Sequence, residues 1–118
     1  MFKAYWKSAA NSDTVTVTFQ GDPPIKVELD VEEVDDVIRS LGEMRALMQP
    51  EHSIDAPVDS NAVFNPRWVC EHEPVLAHSI LRVRDPRYGW LHYVIPRDVG
   101  DDLAATLTSH QRRASKNH

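Results

Sequence analysis

Two stretches near the amino terminus alternate between apolar and polar residues. Residues 14–19 alternate strictly between threonine and an apolar residue, and residues 25–29 resume the alternation after the Gly-Asp-Pro-Pro break at residues 21–24. Period-two patterns rich in β-branched residues predict strands with one apolar face, and the break between them predicts a β-hairpin. The predicted inward residues are Val15, Val17, Ile25, Val27 and Leu29.

A strand over residues 2–7 is predicted before this hairpin, and a helix is predicted directly after it. Asp30 is the expected N-cap, because Glu33 follows three residues later as in a capping box. An apolar stripe at helical spacing continues from there, and Pro50 predicts that the helix has ended by that residue. The stripe consists of Val34, Val37, Ile38, Leu41, Met44 and Met48.

The same pattern returns 66 residues later without a gap, so that residues 68–111 repeat residues 2–45. Trp68 falls on the position of Phe2, and the later apolar positions follow. The second copy predicts a strand from residue 67, a hairpin over residues 79–95 and a helix from about Arg97 to Arg112. The further matching pairs are Val15 with Leu81, Val17 with Val83, Ile25 with Leu91, Val27 with Tyr93 and Leu29 with Ile95.

These patterns predict an α+β fold built from two β-hairpin-helix copies. We expect a mainly antiparallel sheet with two helices packed on one face. Residues 1–118 are predicted to form a single domain. Its parts are copy 1 at about 2–48, a connector loop at 49–66, copy 2 at about 67–112 and a polar tail at 113–118.

The connector loop has proline at positions 50, 57 and 66 and no sustained period. Connections longer than about 12–15 residues are uncommon in compact domains unless they are functional or disordered. Four apolar residues are expected to attach this loop to the core. They are Ile54, Val58, Val63 and Phe64.

The composition narrows the class of protein. Cys70 is the only cysteine, which excludes an intramolecular disulfide and fits a reducing compartment. Neither an apolar stretch of signal-peptide length nor a run of about 20 apolar residues is present. We therefore expect a cytoplasmic protein that does not associate with membranes.

Charge is unevenly distributed along the chain. Residues 1–66 hold 12 acidic and 5 basic residues, a net charge of −7, whereas residues 67–118 hold 6 acidic and 8 basic residues, a net charge of +2. The overall charge of −5 disfavours nucleic acid as a partner, because nucleic-acid-binding proteins normally present a basic surface.

The second hairpin differs from the first on the face opposite its apolar residues. Alternation places arginine, tryptophan and histidine there, where the first hairpin has Thr16, Thr18, Lys26 and Glu28. Tryptophan and arginine are enriched among residues that dominate binding energy. We predict a non-catalytic protein-binding or adaptor module whose partner is another protein or a second copy of the chain. The predicted contacts are Arg82, Arg84, Trp90 and His92 on this face, with Arg87 and Tyr88 at the turn.

A purely structural interpretation of this face is the alternative to binding. Trp90 then covers a sheet edge, and the arginines form surface ion pairs that contribute little stability.

An enzyme is the alternative from a different class. Cys70, His72 and His78 are residue types that bind zinc or act as nucleophile and base, and Glu71 or Glu73 offers an oxygen ligand. Metal-binding pairs such as CxxC or HxxxH are absent, as are glycine-rich phosphate loops and GxSxG elbows. The sequence therefore assigns no catalytic residue, metal or cofactor and favours a protein that is not an enzyme.

The acidic residues of the first predicted helix suggest a third function. A negatively charged helix face can imitate nucleic-acid phosphates and occupy a basic partner as an inhibitor. The residues concerned are Glu32, Glu33, Asp35, Asp36 and Glu43.

Overall fold

Among the described residues, three strands and one helix follow one another in each half of the chain. The computed structural model describes residues 3–8, 11–58 and 61–116, and the chain divides into two compact units, residues 1–58 and 59–118. Each unit contains a three-stranded antiparallel sheet, which confirms the α+β class. The assignment of residues 1–118 to a single domain stays a prediction.

The first unit comprises β1 (Ala4–Lys7), β2 (Thr14–Phe19), β3 (Ile25–Asp30) and α1 (Val31–Leu47). Its strands pair in the order β1-β2-β3. The register places the predicted inward residues of this hairpin on one face, with Val15 opposite Leu29, Val17 opposite Val27 and Phe19 opposite Ile25. Phe2, with which the first strand was predicted to begin, lies outside the described residues.

The start of α1 is held by the predicted capping box. Oδ1 of Asp30 accepts a hydrogen bond of 2.9 Å from the backbone N–H of Glu33, and Oε1 of Glu33 accepts one of 3.2 Å from the backbone N–H of Asp30. Two of the otherwise unpaired donors at the helix start are thereby satisfied. The helix ends at Leu47, three residues before Pro50, as expected.

The second unit comprises β4 (Trp68–Glu73), β5 (His78–Asp85), β6 (Gly89–Ile95) and α2 (Arg97–Lys116). Its strands pair in the order β4-β5-β6. The helix continues four residues beyond the predicted end at Arg112, so most of the expected polar tail is helical. No proline or glycine interrupts residues 101–116, and basic side chains near the end of a helix interact favourably with its dipole.

The strand register differs between the two hairpins. Val15 lies opposite Leu29 in the first sheet, but Leu81 lies opposite Tyr93, two residues short of Ile95, the match of Leu29 at the offset of 66. The cause is the turn, because five residues separate β2 from β3 and three separate β5 from β6. A shift of two residues keeps every side chain on its face, whereas a shift of one would reverse the faces. That the two halves are copies of one unit stays a prediction.

Within the described residues, six strands form two sheets, whereas the hydrophobic pattern predicts one. Pairing between strands that are neighbours in the chain closes short loops, which costs less conformational entropy than pairing across the connector. Contacts join α1 to β3 and α2 to β5. In the second unit, a cleft of about 200 Å³ lies between α2 and the sheet, with Leu103 and Leu107 on one side and Leu81 and Ile95 on the other.

No apolar side chain among the described residues is buried. Leu103 is 44 % exposed and Leu107 is 55 % exposed, although both line the cleft beneath α2. The packing of both helices on one face of a sheet therefore stays a prediction.

The connector contains no helix or strand in its described parts, residues 49–58 and 61–66. Ile54, Val58 and Phe64 are almost fully exposed, so the expectation that they attach the loop to a core is wrong, while Val63 is half-buried. Proline at three positions of the loop removes backbone donors that a strand would need to pair with a sheet. Residues 59 and 60 lie outside the described residues.

None of the helices in the described ranges is long and apolar enough to cross a membrane.

The capping box gives a direct test of the first unit. Replacing Asp30 by alanine is expected to lower the free energy of unfolding by about 1 kcal/mol, because an N-cap acceptor is lost. Urea denaturation followed by circular dichroism measures this loss. Glu43→Ala, an exposed change in the middle of α1, is the matched control and should change stability by less than about 0.5 kcal/mol. Equal urea midpoints for Asp30→Ala and wild type would contradict the role of the cap.

Candidate functional site

The register of the second sheet brings four of the predicted contact residues together. Arg82 lies opposite His92, and Arg84 lies opposite Trp90, on the neighbouring strands β5 and β6. Directly opposed residues project to the same side of a sheet, so all four lie on one face, which we call the outer face. The inner face carries Leu81, opposite Tyr93, and borders the cleft beneath α2.

Arg82 links the three strands of the outer face. Its Nε donates a hydrogen bond of 3.1 Å to Nδ1 of His92 on β6, and its Nη1 forms an ion pair with Oε1 of Glu71 on β4. Because Nδ1 of His92 accepts this bond, the proton of the neutral ring is assigned to Nε2. The guanidinium of Arg82 is thereby held in place by one strand on either side.

Arg84 is flanked by a second arginine that sequence reasoning missed. The backbone N–H of Arg84 donates a bond of 2.9 Å to the carbonyl oxygen of Arg67, which extends the β4–β5 ladder one residue beyond Trp68. Arg67 and Arg84 are therefore directly opposed, and within residues 3–8, 11–58 and 61–116 neither guanidinium forms an ion pair. Opposed like charges on neighbouring strands destabilise a sheet.

Trp90 lies beside this arginine pair and is 42 % exposed. It lines an open cleft of about 440 Å³ at the end of the sheet. The other lining residues are Asn65, Pro66, Arg67, Trp68 and Val69. Two tryptophans and an arginine are among the lining residues, so the cleft combines residue types that offer an apolar surface and a positive charge.

Asp85 organises the turn between β5 and β6. Its Oδ1 accepts a bond of 2.7 Å from the backbone N–H of Arg87, and its Oδ2 lies 3.1 Å from Nη2 of the same residue. The guanidinium of Arg87 lies 5.2 Å from the centre of the Tyr88 ring, within the range of a cation–π interaction. The two predicted turn contacts, Arg87 and Tyr88, are thus held against each other.

The ion pair at the turn shifts the pKa values of both of its charged groups. The hydrogen bonds from the Arg87 side chain and backbone hold the pKa of Asp85 below its usual value, and the same carboxylate raises the pKa of Arg87. The purely structural interpretation is that arginines of this hairpin form surface ion pairs. It therefore describes Arg82 and Arg87. It does not describe Arg84.

The residues of the predicted enzyme alternative do not converge. Cys70 and His72 lie on the inner face, opposite Leu81 and Ser79, whereas His78 precedes Ser79 on β5 and therefore lies on the other face. Within the described ranges, no three histidine, cysteine, aspartate or glutamate side chains are grouped so that they can hold a metal ion. Nδ1 of His78 is buried and has no hydrogen-bond partner among the residues that the structure describes.

Glu73, considered above as an oxygen ligand, caps a turn instead. Its Oε1 and Oε2 accept bonds of 2.7 and 2.8 Å from the backbone N–H groups of Val75 and Leu76. These two hydrogen bonds, that from Leu76 foremost, lower the pKa of Glu73. The carboxylate oxygens are therefore occupied by the β4–β5 turn.

A polar cleft of about 400 Å³ at the start of α2 also escaped sequence reasoning. His72, Ser79 and Asp101 line it, which are the residue types of a nucleophilic triad, together with Arg97. In a working triad, the nucleophile and base lie within hydrogen-bonding reach and a third group orients the base. No hydrogen bond joins these three side chains among the described residues, and the cleft carries no catalytic assignment.

The acidic residues of α1 are all exposed, and two of them already have local partners. Glu33 belongs to the capping box, and Oδ1 of Asp36 lies 3.3 Å from Nη1 of Arg39. Glu32, Asp35 and Glu43 form no ion pair within the described part of the chain.

Comparison with known proteins gives no match: no family model fits the chain, and no curated protein or solved structure is significantly similar to it.

The pKa shift of Asp85 makes the stability of the second unit pH-dependent. A carboxylate whose pKa is lower in the folded state contributes stability above its ordinary pKa of about 3.9, and this contribution is lost as the pH falls through the lowered value. Asp85→Asn is therefore expected to destabilise the protein at pH 7, by an amount that shrinks below about pH 4.

Urea denaturation at pH 7 and at about pH 3 measures this difference. Asp55→Asn, an exposed change in the connector, is the control and should leave the pH dependence of wild type unaltered. A destabilisation by Asp85→Asn of equal size at both pH values would show that the Asp85–Arg87 pair does not produce the effect.

Proposed function

We propose that this protein is a small non-catalytic protein-binding or adaptor module that uses the outer face of the second sheet. The observation that carries the proposal is the row formed by Arg67, Arg84 and Trp90. It combines two guanidinium groups that have no carboxylate partner among the described residues and an indole that is 42 % exposed. Arginine and tryptophan are the side chains most enriched at the energetic centres of protein interfaces.

The Glu71–Arg82–His92 chain supports this role because it restrains the guanidinium of Arg82 on the same face as the row. A guanidinium held by a carboxylate and an imidazole loses less side-chain entropy on binding than a free one. Arg87 and Tyr88 extend the proposed surface at the turn, where Asp85 restrains the arginine.

The corresponding face of the first sheet differs in composition: its described strands carry neither arginine nor tryptophan there, although Tyr5 of β1, opposite Thr18, is 53 % exposed. On the corresponding face, Thr16 lies opposite Glu28 and Thr18 lies opposite Lys26, and Thr18 is only 5 % exposed. Under the proposal, the two halves are copies of one structural unit of which the second acquired the binding surface.

The partner in this proposal is a protein. The net charge of −5 disfavours nucleic acid, and the separation of Cys70 and His72 from His78 on opposite faces disfavours a metal- or cysteine-dependent enzyme. We place the protein in the cytoplasm, because its single cysteine is free, which suits a reducing compartment.

The proposal is tested by retention of partners from a lysate of the source cell on immobilised protein, with identification by mass spectrometry. The double variant Arg82→Ala/Trp90→Ala is expected to lose the partner held by wild type. Removing two residues of hot-spot type lowers affinity by about 30-fold or more.

Tyr93→Ala is the matched control, because Tyr93 is an exposed aromatic residue on the same strand but on the inner face. It should retain the partner, and circular dichroism must show that both variants remain folded. Equal retention by wild type and the folded double variant would exclude the outer face as the binding surface.

A further inference from the structure

Arg67 and Arg84 form a pair of positive charges of defined spacing. Directly opposed residues on antiparallel strands have Cβ atoms about 4.5–5.5 Å apart, and the 2.9 Å bond between these two backbones fixes that opposition. The other two arginines of the hairpin, Arg82 and Arg87, each have a carboxylate partner. Arg67 and Arg84 have no carboxylate partner in the described part of the chain, so two carboxylates at a similar spacing on another molecule would complement them.

The chain itself carries two carboxylates at that spacing. Glu32 and Asp35 are one helical turn apart on α1, and Cβ atoms three residues apart on a helix are separated by about 5–6 Å. Both side chains are exposed, and neither has a basic partner among the described residues. Glu33 and Asp36, by contrast, are engaged in the capping box and in the ion pair with Arg39.

An apolar residue accompanies each pair of charges. Trp90 borders Arg84 on the outer face, and Val31, which is 59 % exposed, lies within one turn of both Glu32 and Asp35. Two guanidinium groups beside an indole thus match two carboxylates beside an exposed valine. Charged pairs set the partner and its orientation, while the apolar contact contributes through burial of its area.

We propose that the partner of the outer face is a second copy of the chain, which presents the first turn of α1 to Arg67, Arg84 and Trp90. This inference rests on the proposed binding role of the outer face and assigns its occupant. The uneven charge favours such a head-to-tail contact, because residues 1–66 carry a net charge of −7 and residues 67–118 carry +2.

Charge reversal in each half tests the contact on purified protein. Sedimentation velocity over a range of protein concentrations measures self-association for wild type, for Arg67→Glu/Arg84→Glu and for Glu32→Arg/Asp35→Arg. Wild type is expected to associate, and more weakly at ~0.5 M than at ~0.05 M NaCl, because salt screens exposed charges. Each double variant should raise the dissociation constant about tenfold or more.

An equimolar mixture of the two double variants gives the decisive result. One variant retains the wild-type α1 and the other retains the wild-type arginine pair, so association should return in the mixture although neither variant associates alone. Arg112→Glu/Arg113→Glu and Glu43→Arg/Glu51→Arg make the same changes of charge elsewhere in the two halves and should associate like wild type.

Three results would overturn the inference: a wild type that stays monomeric at low salt, association that survives both reversals, or variants that do not associate when mixed. The proposed function is judged separately, by the retention experiment. A monomeric wild type that still holds another protein through Arg82 and Trp90 would remove the second copy as partner and leave the binding module.

Discussion

Antiparallel pairing between strands that follow one another in the chain is the interaction on which the rest of this structure depends. Among the described residues no apolar side chain is buried, so the two ladders, β1-β2-β3 and β4-β5-β6, define the arrangement of the strands within each unit. The grouping of four predicted contact residues in the second unit follows from the β5–β6 register. Because Arg82 lies opposite His92, Arg84 must lie opposite Trp90, and their four side chains share one face.

The side-chain contacts on the outer face fix positions more than they stabilise the fold. Arg82 is 30 % exposed and Glu71 is 54 % exposed, and ion pairs at such sites typically contribute between 0 and about 1 kcal/mol. Their geometric effect is larger, because they hold a guanidinium between two neighbouring strands. A flexible arginine becomes part of a rigid surface next to Arg84, whose own guanidinium remains available.

The faces of both sheets could be predicted from the sequence, but the register could not. Alternation assigns each residue to a face by the parity of its position, and a register shift of two residues leaves that assignment intact. Val15 and Leu81 therefore lie on the predicted faces, although the strand partner of Leu81 is Tyr93 and not Ile95, the residue that matches Leu29. The partners depend on the length of the turns, and the ungapped offset of 66 assumed equal lengths.

A side-chain interaction could be predicted from the sequence where a few adjacent residues determine it. Asp30 and Glu33 form a capping box within four residues of chain, without help from distant contacts. The pairing of Arg67 with Arg84 was not readable, because it joins residues 17 positions apart through a ladder that extends beyond β4. Ile54 and Phe64 are exposed although they were predicted to contact the core. An apolar residue in a loop reaches a core only if the backbone of the loop is held there.

Some residues of the second unit serve the fold and others do not. This distinction supports the choice of the outer face as the candidate site. Val83 and Leu91 form a strand pair on the inner face. Asp85 accepts a hydrogen bond that holds the β5–β6 turn, and Glu73 accepts one from the backbone of the β4–β5 turn. Arg67 and Arg84 have no such explanation, because opposed like charges weaken the sheet that carries them. Departures from local rules that no contact within the fold offsets are expected at functional sites. Under the proposal, Trp90 and this arginine pair form the binding surface, where a carboxylate-bearing partner would offset the repulsion between the two guanidinium groups.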